Sequence, residues 1–115
     1  MGRSELAAVE SHLRLIFVHL LKLYIESAGE AARHWRGEIV AFHTDAKRRY
    51  APSMRQRIEL DVLWRAACEQ VILACEGHQP PIGELPAQCP FSLDDLLGDR
   101  VDSLKLVERL AQSIK

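Results

Sequence analysis

The residues able to do chemistry are three cysteines, five histidines, one concentrated run of cations and a set of late aspartates. Cys75, Glu76 and His78 are close enough in sequence to suggest a thiol nucleophile with its base. No nucleophile elbow or oxyanion donor accompanies them, so Cys75 is expected to be a small apolar core residue. Cys89 precedes Pro90 and is expected to pack a turn rather than react. Cys68 and Cys75 lie seven apart in a helical stretch, about 10.5 Å between Cα atoms, beyond the roughly 7 Å reach of a disulfide. With no CxxC pair and an odd count, the thiols imply neither zinc ligation nor a secreted disulfide framework. A reducing cytoplasm is the expected setting.

His12 and His19 share one helix face, but a spacing of seven converges poorly on one metal, even with His43 or Glu26 as a third ligand. They are expected to be boundary histidines bonded to a neighbouring helix. Asp94, Asp95, Asp99 and Asp102 match no EF-hand loop. Acids at helix starts are expected from the helix dipole alone. The reading is therefore no catalytic constellation, no metal site and no cofactor.

Lys47, Arg48, Arg49, Arg55 and Arg57 form the densest cationic cluster. Residues 33–57 hold seven Lys/Arg against two acids, while 59–102 hold nine acids against two arginines, within a chain of net charge −1. The two segments are expected to offset one another. The alternative is a basic patch for nucleic acid or an acidic partner, with Trp35 or Trp64 stacking on bases if exposed. Both tryptophans fall on apolar stripes, which favours core positions.

These residues sit on an all-α frame. At 115 residues the chain is one domain. Leucine and alanine supply 29 residues and threonine one, and no alternation long enough for a strand is present. The spacing predicts a small helical bundle of three longer helices, over 4–25, 31–50 and 53–77. A Pro-rich strap follows over 78–91, then one or two short C-terminal helices over 92–114. Ser4 is the expected first cap, and Pro52 ends the second helix. Ser53 with Gln56, and Ser92 with Asp95, fit capping boxes. Asp102 or Ser103 caps the last helix, and Gly77 suits the end of the third. The strap is expected to tuck Ile82 and Leu85 against the bundle.

Leu13 to Ile25 is ten-thirteenths apolar, but Arg14, His19 and Lys22 interrupt it. It falls short of the roughly 20 apolar residues of a membrane span. Leu6, Val9, Leu13, Ile16, Leu20 and Leu23 mark one face of the first helix, while Leu15, Val18 and Ile25 mark the other. A helix apolar on both sides needs cover on both.

Five motifs in order resemble one family. They are Met1-Gly2-Arg3-Ser4-Glu5, His19-Leu20-Leu21-Lys22, Trp35-Arg36 with Glu38-Ile39, Pro52-Ser53-Met54-Arg55, and the block Cys89-Pro90-Phe91-Ser92-Leu93-Asp94-Asp95-Leu96-Leu97. Together they are similar to the bacterial domain-of-unknown-function family 29, small all-helical proteins with no assigned activity. The resemblance implies a fold and no catalytic residues. Members carry a further segment ahead of the point where this chain begins. If that segment normally covers the first helix, its loss would expose Leu15, Val18 and Ile25, which a homodimer or a longer natural protein would cover. The expected function is a non-catalytic interaction or assembly module that self-associates. Its expected partner is a second copy or another protein, with nucleic acid less favoured and no membrane.

Overall fold

The structure is a computed structural model that describes residues 3–75 and 84–114. Its helices are α1 (Arg3–Ile25), α2 (Glu30–Arg49), α3 (Leu60–Ala74), α4 (Leu93–Leu97) and α5 (Ser103–Ser113), with a single 3-10 turn at Pro52–Met54. The described residues contain no strand, so the chain is all-α.

The first helix is the axis of the molecule. It packs against α2, α3 and α5, while α4 touches α2. Val9, Leu13, Ile16, Phe17, Leu20 and Leu23 are buried on it, as the heptad-like spacing requires. Val18 and Leu21, on its other side, are buried as well. Each such aliphatic contributes about 1.5–3 kcal/mol when fully withdrawn from water. The cover that a doubly apolar helix needs thus comes from within the chain. Ser4 is not its cap: the backbone is already helical at Arg3, so Ser4 lies inside the first turn.

Gly29 holds the turn into α2 with φ of 96°, a left-handed conformation that costs glycine little. Ala32, Ile39 and Ala46 are the buried stripe of α2, and Trp35, Phe42 and Tyr50 pack against the core from its margins. At the far end Tyr50 leaves the helix with extended backbone, two residues before Pro52.

The third helix departs from the sequence expectation. Ser53 does not start it: Pro52–Met54 forms only a 3-10 turn, with no side-chain cap bond, and α3 begins at Leu60. Met54 and Ile58 explain the delay. Both are buried in the core, and reaching it from this position requires the irregular path a continuous helix would not take. Trp64, Ala67 and Val71 form the buried stripe of α3, whereas Ala74, one turn beyond Val71, is exposed. The helix closes at Cys75. Gly77 and Ile82 lie outside the described residues.

The strap is held to α3 by two bonds. Trp64 Nε1–H donates to the Pro86 carbonyl at 2.9 Å, and the Cys89 N–H donates to Asp61 Oδ1 at 2.9 Å. Later strap residues meet earlier helix residues, so the strap runs antiparallel to α3. Phe91 then enters the core. Its ring lies 5.9 Å from both Phe17 and Trp64, which themselves meet edge-to-face at 5.5 Å. Such aromatic contacts add about 0.5–1.5 kcal/mol each beyond area burial. Leu85 also packs against the core.

At the C-terminal end both expected caps form. Ser92 and Asp95 complete a reciprocal capping box at α4, and the Asp102 carboxylate accepts from the Lys105 N–H at α5.

Candidate functional site

The thiols are placed to pack rather than react. Burial pushes Cys68 up to about 11, with Cys89 adding to the shift. Burial likewise pushes Cys89 up to about 11. Its Sγ donates weakly to the Phe91 carbonyl at 3.4 Å. A thiol that resists ionisation is a poor nucleophile. Cys75 is partly buried, and Glu76 and His78 lie outside the described residues.

Three histidines are committed to the bundle. His12 and His19 each turn Nδ1 onto the carbonyl four residues back, Ala8 and Leu15, at 2.7 and 2.8 Å. A ring nitrogen facing a carbonyl must carry the proton. The two rings flank Phe42, with centroids 6.1 and 5.2 Å away. Burial holds the His19 imidazole below its ordinary pKa. His43 is 6% exposed, and its Nε2–H donates to the Gly98 carbonyl at 2.8 Å. It thereby fastens the turn after α4 onto α2, with Nε2 spent on a backbone carbonyl. Among the described residues no three His, Cys, Asp or Glu side chains gather.

The cationic cluster is spread along a rim and mostly paired. Lys47 meets Asp99 at 3.7 Å, Arg48 meets Asp45 at 3.4 Å, Arg49 meets Glu5 at 3.5 Å, and Arg55 meets Asp94 at 2.6 Å. Arg57 is exposed and joins no ion pair among the described residues. Two of these pairs, Lys47 with Asp99 and Arg55 with Asp94, link the basic segment 33–57 to the acidic segment 59–102 and offset part of the sequence asymmetry. Each exposed pair adds little stability, but each cancels charge that a phosphate backbone would need. The tryptophans offer no stacking platform beside them. Trp64 is fully buried, and Trp35 is partly buried with the Lys22 ammonium 6.0 Å from its ring centroid.

The second apolar face of α1 lies elsewhere than its expected exposure. Val18 is 2% exposed, Ile25 packs against the core and Leu15 is only partly exposed. These residues therefore form no open surface. Of the five exposed large apolar residues, three share α3: Val62 at 48%, Ile72 at 48% and Leu73 at 70% exposure. Ala66, Arg65 and Glu69 are exposed beside them. Val62, Ala66, Glu69 and Leu73 follow a 4-3-4 spacing and so line one outer seam, opposite the buried Trp64, Ala67 and Val71. Sequence reading missed this seam. Its signal was the second apolar set on α3, which falls outside the stripe assigned to the core.

The family model described as domain of unknown function DUF29 matches residues 1–101. The chain belongs to the DUF29 family. No curated protein matches it. The DUF29 chain is similar to the crystal structure of an alpha-helical protein of unknown function from Rhodospirillum rubrum. The two share 32% identity with a TM-score of 0.86, covering 96% of this chain and 70% of that one. The blocks that carried the family resemblance have structural tasks in this DUF29 fold. Cys89 to Phe91 locks the strap, Ser92 to Asp95 caps α4, and His19 to Lys22 contributes Leu20 and Leu21 to the core. No described helix is long and apolar enough to cross a membrane.

Proposed function

We propose that this DUF29 protein is a non-catalytic protein-interaction module whose contact face is the outer side of α3. The observation that carries this reading is the seam of Val62, Ala66 and Leu73, bordered by Ile72. Apolar side chains stand at helical spacing there while comparable residues on α1 are covered. Val40 and Leu104 are also exposed, but they stand on other helices, and scattered single residues need no partner. Cys68 and Cys89, held up near 11, and histidines bonded to helix or loop carbonyls support a binding role over a catalytic one. A reducing, cytoplasmic setting belongs to the same proposal and rests on the three free thiols.

The test is affinity purification of the tagged chain from its native cell, beside a Leu73→Glu variant. A protein recovered in stoichiometric amount by the wild type, and lost from an equally helical variant, is the expected result. Placing a charge at the most exposed apolar residue of the seam is expected to weaken the contact about tenfold. Equal recovery by both baits would overturn the choice of face. No partner and no extra copy of the chain in either eluate would overturn the interaction reading.

A further inference from the structure

We infer that the outer seam of α3 pairs antiparallel with the same seam of a second copy. The inference rests on the interaction reading above and names its partner. The argument is the self-complementarity of one helix face.

Val62, Ala66, Glu69 and Leu73 are symmetric about a point between residues 67 and 68. A two-fold axis there sets Val62 opposite Leu73 of the second copy, and Ala66 opposite Glu69 of the second copy. Both layers share one register, the condition for a closed, isologous contact. The spacing is that of a short coiled-coil seam, spanning about 16 Å along the helix.

Charge supplies the second argument. Glu69 is the one polar residue in the seam, and burying a carboxylate is costly unless it is paired. Arg65 lies one position before Ala66, on the flank of the seam. In the antiparallel register it comes alongside Glu69 of the second copy. The two-fold axis repeats the pair, so two arginines answer two glutamates. Among the described residues no ion pair joins Arg65 to Glu69 within the helix. Arginine placed before glutamate at i, i+4 is also the weaker orientation of the two. Ala66 is small enough to let the helices approach and to leave room for the Glu69 side chain. A parallel pair would set Glu69 against its own copy, which is repulsive.

A partner of other chemistry has less to match. A nucleic acid would be repelled by Glu69, and no aromatic ring lies on this face to stack a base. A seam of this length buries less than a standard interface, so the expected dimer is a weak, concentration-dependent one.

Sedimentation velocity of the full chain from about one to about a hundred micromolar tests this, a range that brackets weak dimers. The wild type is expected to pass from monomer to dimer. Arg65→Glu and Glu69→Arg are each expected to weaken the dimer about tenfold by setting like charges together. The double variant, with both charges exchanged, is expected to return to within about threefold of the wild type, since it restores attraction. All four positions in the seam are exposed, and far-UV circular dichroism checks that the variants keep their helices. A monomer over the whole range would overturn the inference, as would a dimer indifferent to the single swaps or not rescued by the double one. If the chain stays monomeric while Leu73→Glu still loses a different protein in affinity purification, the pairing fails and the interaction reading survives. If neither is seen, both fail.

Discussion

His19 shows how a single side chain can be read for chemistry and serve packing instead. Its ring meets Phe42 edge-to-face, its Nδ1–H is spent on Leu15, and burial lowers its pKa from 6.5. The nearby Lys22 and His34 push in the same direction, against the Leu15 hydrogen bond and Glu38. The unfolded chain therefore binds a proton at His19 more readily than the folded one. Stability contributed here is complete above 6.5 and is lost as pH falls from there through the lowered value. Urea unfolding between about pH 7 and 5 should show this slope in the wild type. His19→Gln, which keeps a polar group near the Leu15 carbonyl, should flatten it; an unchanged slope would place the titration elsewhere. Asp95 works in the same direction at lower pH and for a different reason: its charged form is favoured rather than penalised. Burial raises its pKa, but the Ser92 N–H, the Arg109 guanidinium and the Ser92 hydroxyl outweigh that and hold it below its usual value. Its contribution is present at neutral pH and is lost only in acid.

At the scale of elements, glycine separates tolerance from constraint. Gly37 lies inside α2, and a Cβ added there would meet nothing within 4 Å. Gly37→Ala should stabilise by about 0.5–1 kcal/mol, through helix propensity and a less flexible unfolded chain. Gly98 differs. A Cβ there would stand 2.8 Å from the Asp94 backbone carbonyl, and the Gly98 carbonyl is the acceptor for His43. Gly98→Ala should therefore destabilise by about 1–3 kcal/mol, as overpacking does when it displaces backbone. Opposite shifts in the urea midpoint, with unchanged slope, check the pair. The same scale shows why one capping box formed and another did not. Ser92 precedes a helix whose first turn faces the core through Leu93 and Leu96. Ser53 precedes Met54 and Ile58, which a helix continued into α3 would turn away from the Trp64, Ala67 and Val71 side, so packing overrode the local signal.

For the whole molecule, the balance of charge decides what the surface attracts. Four of the five cations at Lys47, Arg48, Arg49, Arg55 and Arg57 have an acid within 4 Å. Lone phosphates would have to displace those acids. The chain should therefore pass through heparin at low salt without retention. Retention that falls steeply with log salt would instead revive a polyanion-binding role. The arrangement around α1 is equally a property of the whole. The helix is apolar on both sides, and α2, α3 and α5 pack around it.

The amino-acid sequence by itself determined what local physics controls. Helical spacing placed the core of α1, Pro52 limited α2, and the Ser92 and Asp102 side chains started the last two helices. Each of these depends on neighbours within a turn or two, which a linear reading contains. The tertiary structure alone decided which apolar faces meet. It buried Val18, drew Met54 and Ile58 inward, seated Phe91 against Phe17 and Trp64, and joined His43 to Gly98 across 55 residues of chain. It also paired the basic cluster with acids from α1, α2 and the C-terminal turns, and left the α3 seam uncovered. Those outcomes depend on contacts between segments distant in sequence. Side-chain periodicity shows that a face is apolar, and only the packed chain shows whether another part of the same molecule already covers it.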